Sequence, residues 1–200
     1  ECLSGDRAPP TRTAGRECER HVAAGTASIV EVGLEGASAA EISGRAGLTW
    51  GAVQHRIGDK HGILVAVLEE SFNSLTRQLN TVDAGLPLTD RISDFVDRAW
   101  DHFGSSNYRC ASEILSHYMR SAPELSYQTD FNRTLMRIWL HLFGDTGLTP
   151  DRTVVVMHYT VSVLSGLSLM RHIAMPPRDD VSAELDMLKN TLHQELATKQ

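Results

Sequence analysis

Within twelve residues, Thr49, Trp50, Gly51, Gln54, His55, Arg56 and Lys60 bring together a hydroxyl, an indole, a backbone without Cβ, a carboxamide, an imidazole, a guanidinium and an ammonium. Arginine and lysine neutralise phosphate, while glutamine can hydrogen-bond adenine bidentately at N6 and N7. Set on a wheel at about 100° per residue, Trp50 to Ile57 places Val53 and Ile57 on one side. Gly51 and His55 then face the opposite way, with Gln54 and Arg56 on its flanks. Eight helical residues span about 12 Å, close to the width of a DNA major groove at about 12 Å. A glycine inside so short a helix costs roughly 1 kcal/mol against alanine. Close approach of the backbone to a partner is the return expected at Gly51.

The elements that must hold these side chains are legible around them. Ser38 followed by Glu41 is a capping box, and Ala39, Ile42 and Ala46 give the helix it opens an apolar stripe. Gly47 suits the sharp turn, Leu48 plugs the angle, and Thr49 caps the second helix. Gly58 and Asp59 interrupt that helix, and a third begins at Lys60. Two short helices hinged at Ala46-Gly47-Leu48, the second polar on its outer face, are the pattern of a helix-turn-helix.

Gly33, Ala46-Gly47-Leu48-Thr49, Gly51-Ala52-Val53, His55, Asp59-Lys60 and Ile63-Leu64 together resemble the N-terminal domain of the TetR family of transcriptional regulators, over about Glu17 to Glu70. The resemblance implies an all-α homodimer that binds a palindromic operator in double-stranded DNA. It also implies a larger C-terminal domain that binds a small ligand and dimerises. Two positions depart from the family's common pattern: Gln54 stands where tyrosine is frequent, and Arg56 where histidine or tyrosine is. The expected DNA-contacting set is Ser38, Thr49, Trp50, Gly51, Gln54, His55, Arg56 and Lys60. The expected organisation is a flexible arm over 1–15, a three-helix DNA-binding domain over 16–62, and a helical ligand-binding and dimerisation domain over 63–200.

Composition is compatible with this and places the charge unexpectedly. The chain has 200 residues, 42% of them apolar, and a formal net charge of −6. Residues 1–75 carry seven basic side chains against ten acidic ones. Phosphate contact therefore rests on where Arg7, Arg12, Arg16, Arg56 and Lys60 sit rather than on net charge, and marked salt sensitivity is expected. Cys2, Cys18 and Cys110 form no CxxC pair, which argues against a zinc site or a disulfide framework and for a reducing cytoplasm. The first seventeen residues lack the apolar stretch of a signal peptide. Thr153 to Met170 is free of formal charge, but its threonines, serines and His158 make it a poor bilayer helix, so no membrane partner is expected.

Beyond Lys60, apolar spacing and breakers predict helices over about 60–81, 89–103, 109–121, 126–143, 150–174 and 180–197. The last two are the expected dimer interface, with Ser162 and Gly166 permitting close helix packing. Trp100, Phe103, His117, Tyr118, Trp139 and Phe143 are candidates for lining a pocket for a small apolar or aromatic effector, although the same residue types equally suit an ordinary core. A rival class is a helical-bundle metal enzyme using Glu113 and His117, one helical turn apart near Asp101 and His102. Repeated Glu-x-x-His pairs, HExxH, GxSxG and glycine-rich phosphate loops are all missing from the sequence, so no catalytic residue, metal or cofactor is assigned.

Overall fold

The computed structural model describes residues 60–121, 126–173 and 180–197, together with Ala27. Six α-helices run through them: α1 (Lys60–Leu79), α2 (Leu88–Phe103), α3 (Ser106–Ser121), α4 (Ser126–Phe143), α5 (Pro150–Ile173) and α6 (Ser182–Ala197), with a 3₁₀ turn at Gly144–Thr146. No strand occurs among the described residues, so the all-α expectation holds.

The helix ends differ from the expected ones for local reasons. α1 stops at Leu79 because Thr81 and Val82 donate their amides three residues back, to Gln78 and Leu79, tightening the last turn. α2 starts one residue early, at Leu88. Pro87 supplies a φ of −50° and its carbonyl accepts the Arg91 amide at 2.9 Å. α3 starts at Ser106 rather than near Arg109, since Gly104 and Ser105 alone complete the turn. α5 opens as its Thr149-Pro150 signal predicts: the Thr149 hydroxyl accepts the Arg152 amide at 3.3 Å. Before it, Gly147 sits at φ +78°, a left-handed conformation that side chains rarely adopt.

The chain forms two compact units. One contains residues 1–72 and 106–123, the other 73–105 and 124–200. In the first, α1 buries Leu64, Ala66, Val67 and Leu68, and α3 buries Cys110, Ala111 and Ile114. Periods of three and four residues select these positions. In the second, α2 packs most extensively along α6 and also on α5, while α5 packs on α4 and α6. Its core is built from Ile92, Phe95, Val96, Ala99 and Phe103 of α2, Ile138, Trp139 and Leu142 of α4, Leu164 of α5, and Leu188, Leu192 and Leu196 of α6. Each large apolar side chain so buried contributes about 1.5–3 kcal/mol.

Candidate functional site

α5 divides into two faces. Thr153, Val156, Met157, Thr160, Leu164 and Ser168 recur every three or four residues and are buried. Facing the other way, Val155, Tyr159, Leu169, Met170 and Ile173 are between 45% and 59% exposed. Ser162 and Gly166 lie between them on the same stripe, and a Cβ built on Gly166 meets nothing within 4 Å. Met187 on α6 is 70% exposed. The α5 stripe is an exposed apolar face with a small-residue notch, on one of the helices singled out by sequence. α5 is also the one helix among the described residues long and apolar enough to cross a bilayer. Its buried threonine hydroxyls are nevertheless satisfied along the chain itself: Thr160 Oγ1 donates to the Val156 carbonyl at 2.8 Å, and Thr153 Oγ1 to the Thr149 carbonyl at 3.0 Å.

On the buried side of α5 lies a cavity of about 20 Å³, enclosed by Phe95, Ala99, Phe103, Trp139, Met157, Thr160 and Leu164, with further apolar neighbours from α1 and α4. The volume suits about one water molecule, but a wall this apolar offers it few partners. Thr160 brings the sole hydroxyl of this lining, and that group is committed to Val156. Three aromatic rings form one side of the region. Phe95 meets Trp139 edge-on at 5.6 Å and Phe143 edge-on at 5.4 Å, while Trp139 and Phe143 are tilted at 4.9 Å.

Of the pocket residues expected from sequence, Phe103 and Trp139 line the cavity. Phe143 stands behind them in the aromatic cluster. Trp100 is half-exposed and carries the Arg171 guanidinium over its ring, 5.7 Å from the centroid. His117 and Tyr118 belong to α3, and their side chains lie outside the described residues. Sequence reasoning missed Phe95, Ala99, Met157, Thr160 and Leu164, whose spacing marks them only as core. It also missed Arg91, which is 5% exposed. Arg91 donates to the Ala84 carbonyl and to Asp145 Oδ2, both at 2.9 Å, and sits 5.7 Å above the Phe143 ring. The cation thus closes the outer end of the aromatic cluster.

His102 is 4% exposed, and burial pushes its imidazole pKa down to about 4. Glu113 is exposed, and no cluster of three or more histidine, cysteine, aspartate or glutamate side chains suited to a metal occurs among the described residues. A wider polar depression of about 530 Å³ lies between α2 and α6, lined by Thr89, Ser93, Asp186, Asn190 and His193. Its Lys189 ammonium is paired to Asp97 at 2.7 Å. The proposed DNA contacts Ser38, Thr49, Trp50, Gly51, Gln54, His55 and Arg56 lie outside the described residues, and Lys60 is described only as the first residue of α1.

No family model matches the chain. It is 26% identical over 146 residues to the HTH-type transcriptional regulator BetI of Vibrio atlanticus, an alignment covering 70% of this chain and 72% of that protein. Among solved structures, the TetR-family transcriptional regulator PfmR of Thermus thermophilus superimposes with a TM-score of 0.62 at 16% identity, over 90% of this chain and 99% of that one. The multidrug-binding protein EbrR, solved in complex with imidazole, does so with a TM-score of 0.66 at 10% identity, over 96% of this chain and 98% of that one. The helical fold is thus one shared with solved TetR-family transcriptional regulators, and the chain is similar in sequence to an HTH-type transcriptional regulator.

Proposed function

We propose that this regulator is a cytoplasmic homodimer that occupies a palindromic DNA operator and is released from it by a small apolar or aromatic molecule, which makes it a repressor. The observation that carries the reading furthest is continuity. In the sequence the helix-turn-helix pattern of Ser38–Lys60 runs directly into α1 (Lys60–Leu79), and the chain shares its helical fold with TetR-family structures. Thr49, Trp50, Gly51, Gln54, His55, Arg56 and Lys60 are the reading and phosphate-contacting side of that pattern, with Ser38 capping the supporting helix.

Dimerisation is supported by the outer stripe of α5 and by Met187 of α6. A two-fold pairing there buries an exposed apolar surface against its own copy. It also presents two reading helices to half-sites about 34 Å apart. The effector class is supported by the cavity wall, which has aromatic and aliphatic surface and no uncommitted hydroxyl. At about 20 Å³ the cavity is closed in this state, so an effector must bind a rearranged state better than this one. That difference in affinity is what releases DNA, because equal affinity for both states shifts nothing. A repressor needs no part beyond operator occupancy to block transcription.

The test is selection of genomic DNA fragments by the purified full chain. Recovery of a two-fold symmetric site supports the reading, and failure to enrich any sequence overturns it.

A further inference from the structure

The stretch of α5 that walls the cavity is apolar except at one place. Of the residues around that space, α5 supplies Met157, Thr160, Val161 and Leu164, and all of them, like the rest of the lining, belong to the second compact unit. Spacings of three and four residues set Thr160 on one helix face between Met157 and Leu164. Thr160 is 1% exposed. Valine has the same branched shape and would fill the position without carrying a hydroxyl out of water, which is costly unless the group is bonded. Packing therefore does not account for the oxygen.

A threonine hydroxyl has one proton and two lone pairs. The proton goes to the Val156 carbonyl, one turn back at 2.8 Å, so Thr160 Oγ1 has only its acceptor side left for a ligand. Trp139 adds an indole N–H to the wall, a group that donates and cannot accept. None of the described lining residues is charged. A ligand carboxylate or ammonium would thus be buried without a counter-ion, at a high cost in desolvation. A hydrocarbon leaves both polar groups unused, and an ether or carbonyl oxygen can accept from Trp139 but has nothing to donate to Thr160. A neutral hydroxyl can do both.

We infer that Thr160 is a specificity-determining residue of this cavity: among apolar and aromatic molecules it selects those that carry a hydroxyl group, which donates its proton to Thr160 Oγ1. The inference rests on the effector reading of the cavity and adds the chemical class of the effector, a phenol or an apolar alcohol. At about 20 Å³ the space admits a ring only in a rearranged state. The cost of that rearrangement is common to rings of one size and cancels when two such ligands are compared.

The experiment compares full-length wild type with Thr160→Val and Thr160→Ser. The probes are phenol and toluene, which differ by a hydroxyl against a methyl group on the same ring. Binding is followed by nuclear magnetic resonance through the Trp139 indole N–H, which reports ligand at this cavity rather than elsewhere. Thr160→Val weakens phenol about fivefold, the worth of one neutral hydrogen bond, and leaves toluene unchanged or bound more tightly. Thr160→Ser, which keeps the hydroxyl, keeps the wild-type ratio of the two affinities to within about twofold. Equal loss of both probes in Thr160→Val would mean that the substitution disturbed packing alone, and it overturns the selection. Undiminished phenol binding in that variant overturns it as well. If wild type binds toluene and not phenol, an apolar effector site stands and the hydroxyl requirement fails. If wild type binds neither, the effector reading of the cavity and this inference fail together.

Discussion

Acidification tests the burial of His102 with a known sign. Burial lowers its pKa to about 4 from an ordinary 6.5, because the charged imidazolium is kept from water. At pH values above 6.5 the side chain is neutral in both folded and unfolded chains, and its contribution is fully present. As pH falls below 6.5, the unfolded chain takes up the proton first, so stability is lost progressively until about pH 4 and levels off below it. At about 1.4 kcal/mol per pH unit, the gap corresponds to about 3 kcal/mol, or a melting shift of roughly 6–12 °C for a chain of this size. The assay is chemical or thermal unfolding of wild type and His102→Gln between pH 7.5 and 4. Carboxylates titrate alike in both proteins, so the difference between them isolates the imidazole. That difference should move by about 3 kcal/mol against wild type as pH falls. A difference constant across the range refutes the account of His102 as a desolvated neutral side chain.

Three further outcomes follow from the same structure. Leu169→Glu places a charge on the exposed stripe of α5 at little cost to the monomer fold, and sedimentation velocity should find the variant monomeric; an intact dimer would move the interface elsewhere. Trp139→Ala removes a 3% exposed ring beside the small cavity, costs about 3–5 kcal/mol in stability, and leaves an apolar void. A neutral aromatic probe such as indole should then raise the melting temperature of the variant more than that of wild type, and equal shifts would argue against an effector site there. Gln54→Ala and His55→Ala should each alter preference at particular base pairs by about 1–3 kcal/mol, whereas Lys60→Ala should weaken all sequences alike. A uniform loss from all three substitutions, measured by binding to a panel of variant sites, would remove Gln54 and His55 from base reading.

Periodicity and breakers made the helical body legible in the sequence. Pro150 after Thr149 and the glycine-bounded turn around Gly144–Thr146 each punctuate the chain through local chemistry that needs no tertiary partner. The outer stripe of α5 was legible less directly, because a helix apolar around much of its circumference does not announce which face is inside. Burial separates Val156, Thr160 and Leu164 from Val155, Tyr159 and Leu169. The cavity was the least legible feature. Phe103 and Trp139 stood out by size, but Ala99 and Thr160 reach it only because α2 and α5 converge beside α4. Arg91 and Arg171 illustrate the same difficulty for charge, since each reads as an ordinary surface cation and each instead donates to a backbone carbonyl outside its own helix. Such partners leave no trace in spacing.

The central claim is that this chain reads DNA as a symmetric dimer, and selection of genomic fragments by the purified full-length protein tests it most directly. The account predicts enrichment of one site whose two inverted halves are centred about 34 Å apart, or a multiple of a helical turn, with affinity falling steeply as salt is raised. Recovery of fragments without a shared sequence, or of a site with a single unpaired half, would contradict it.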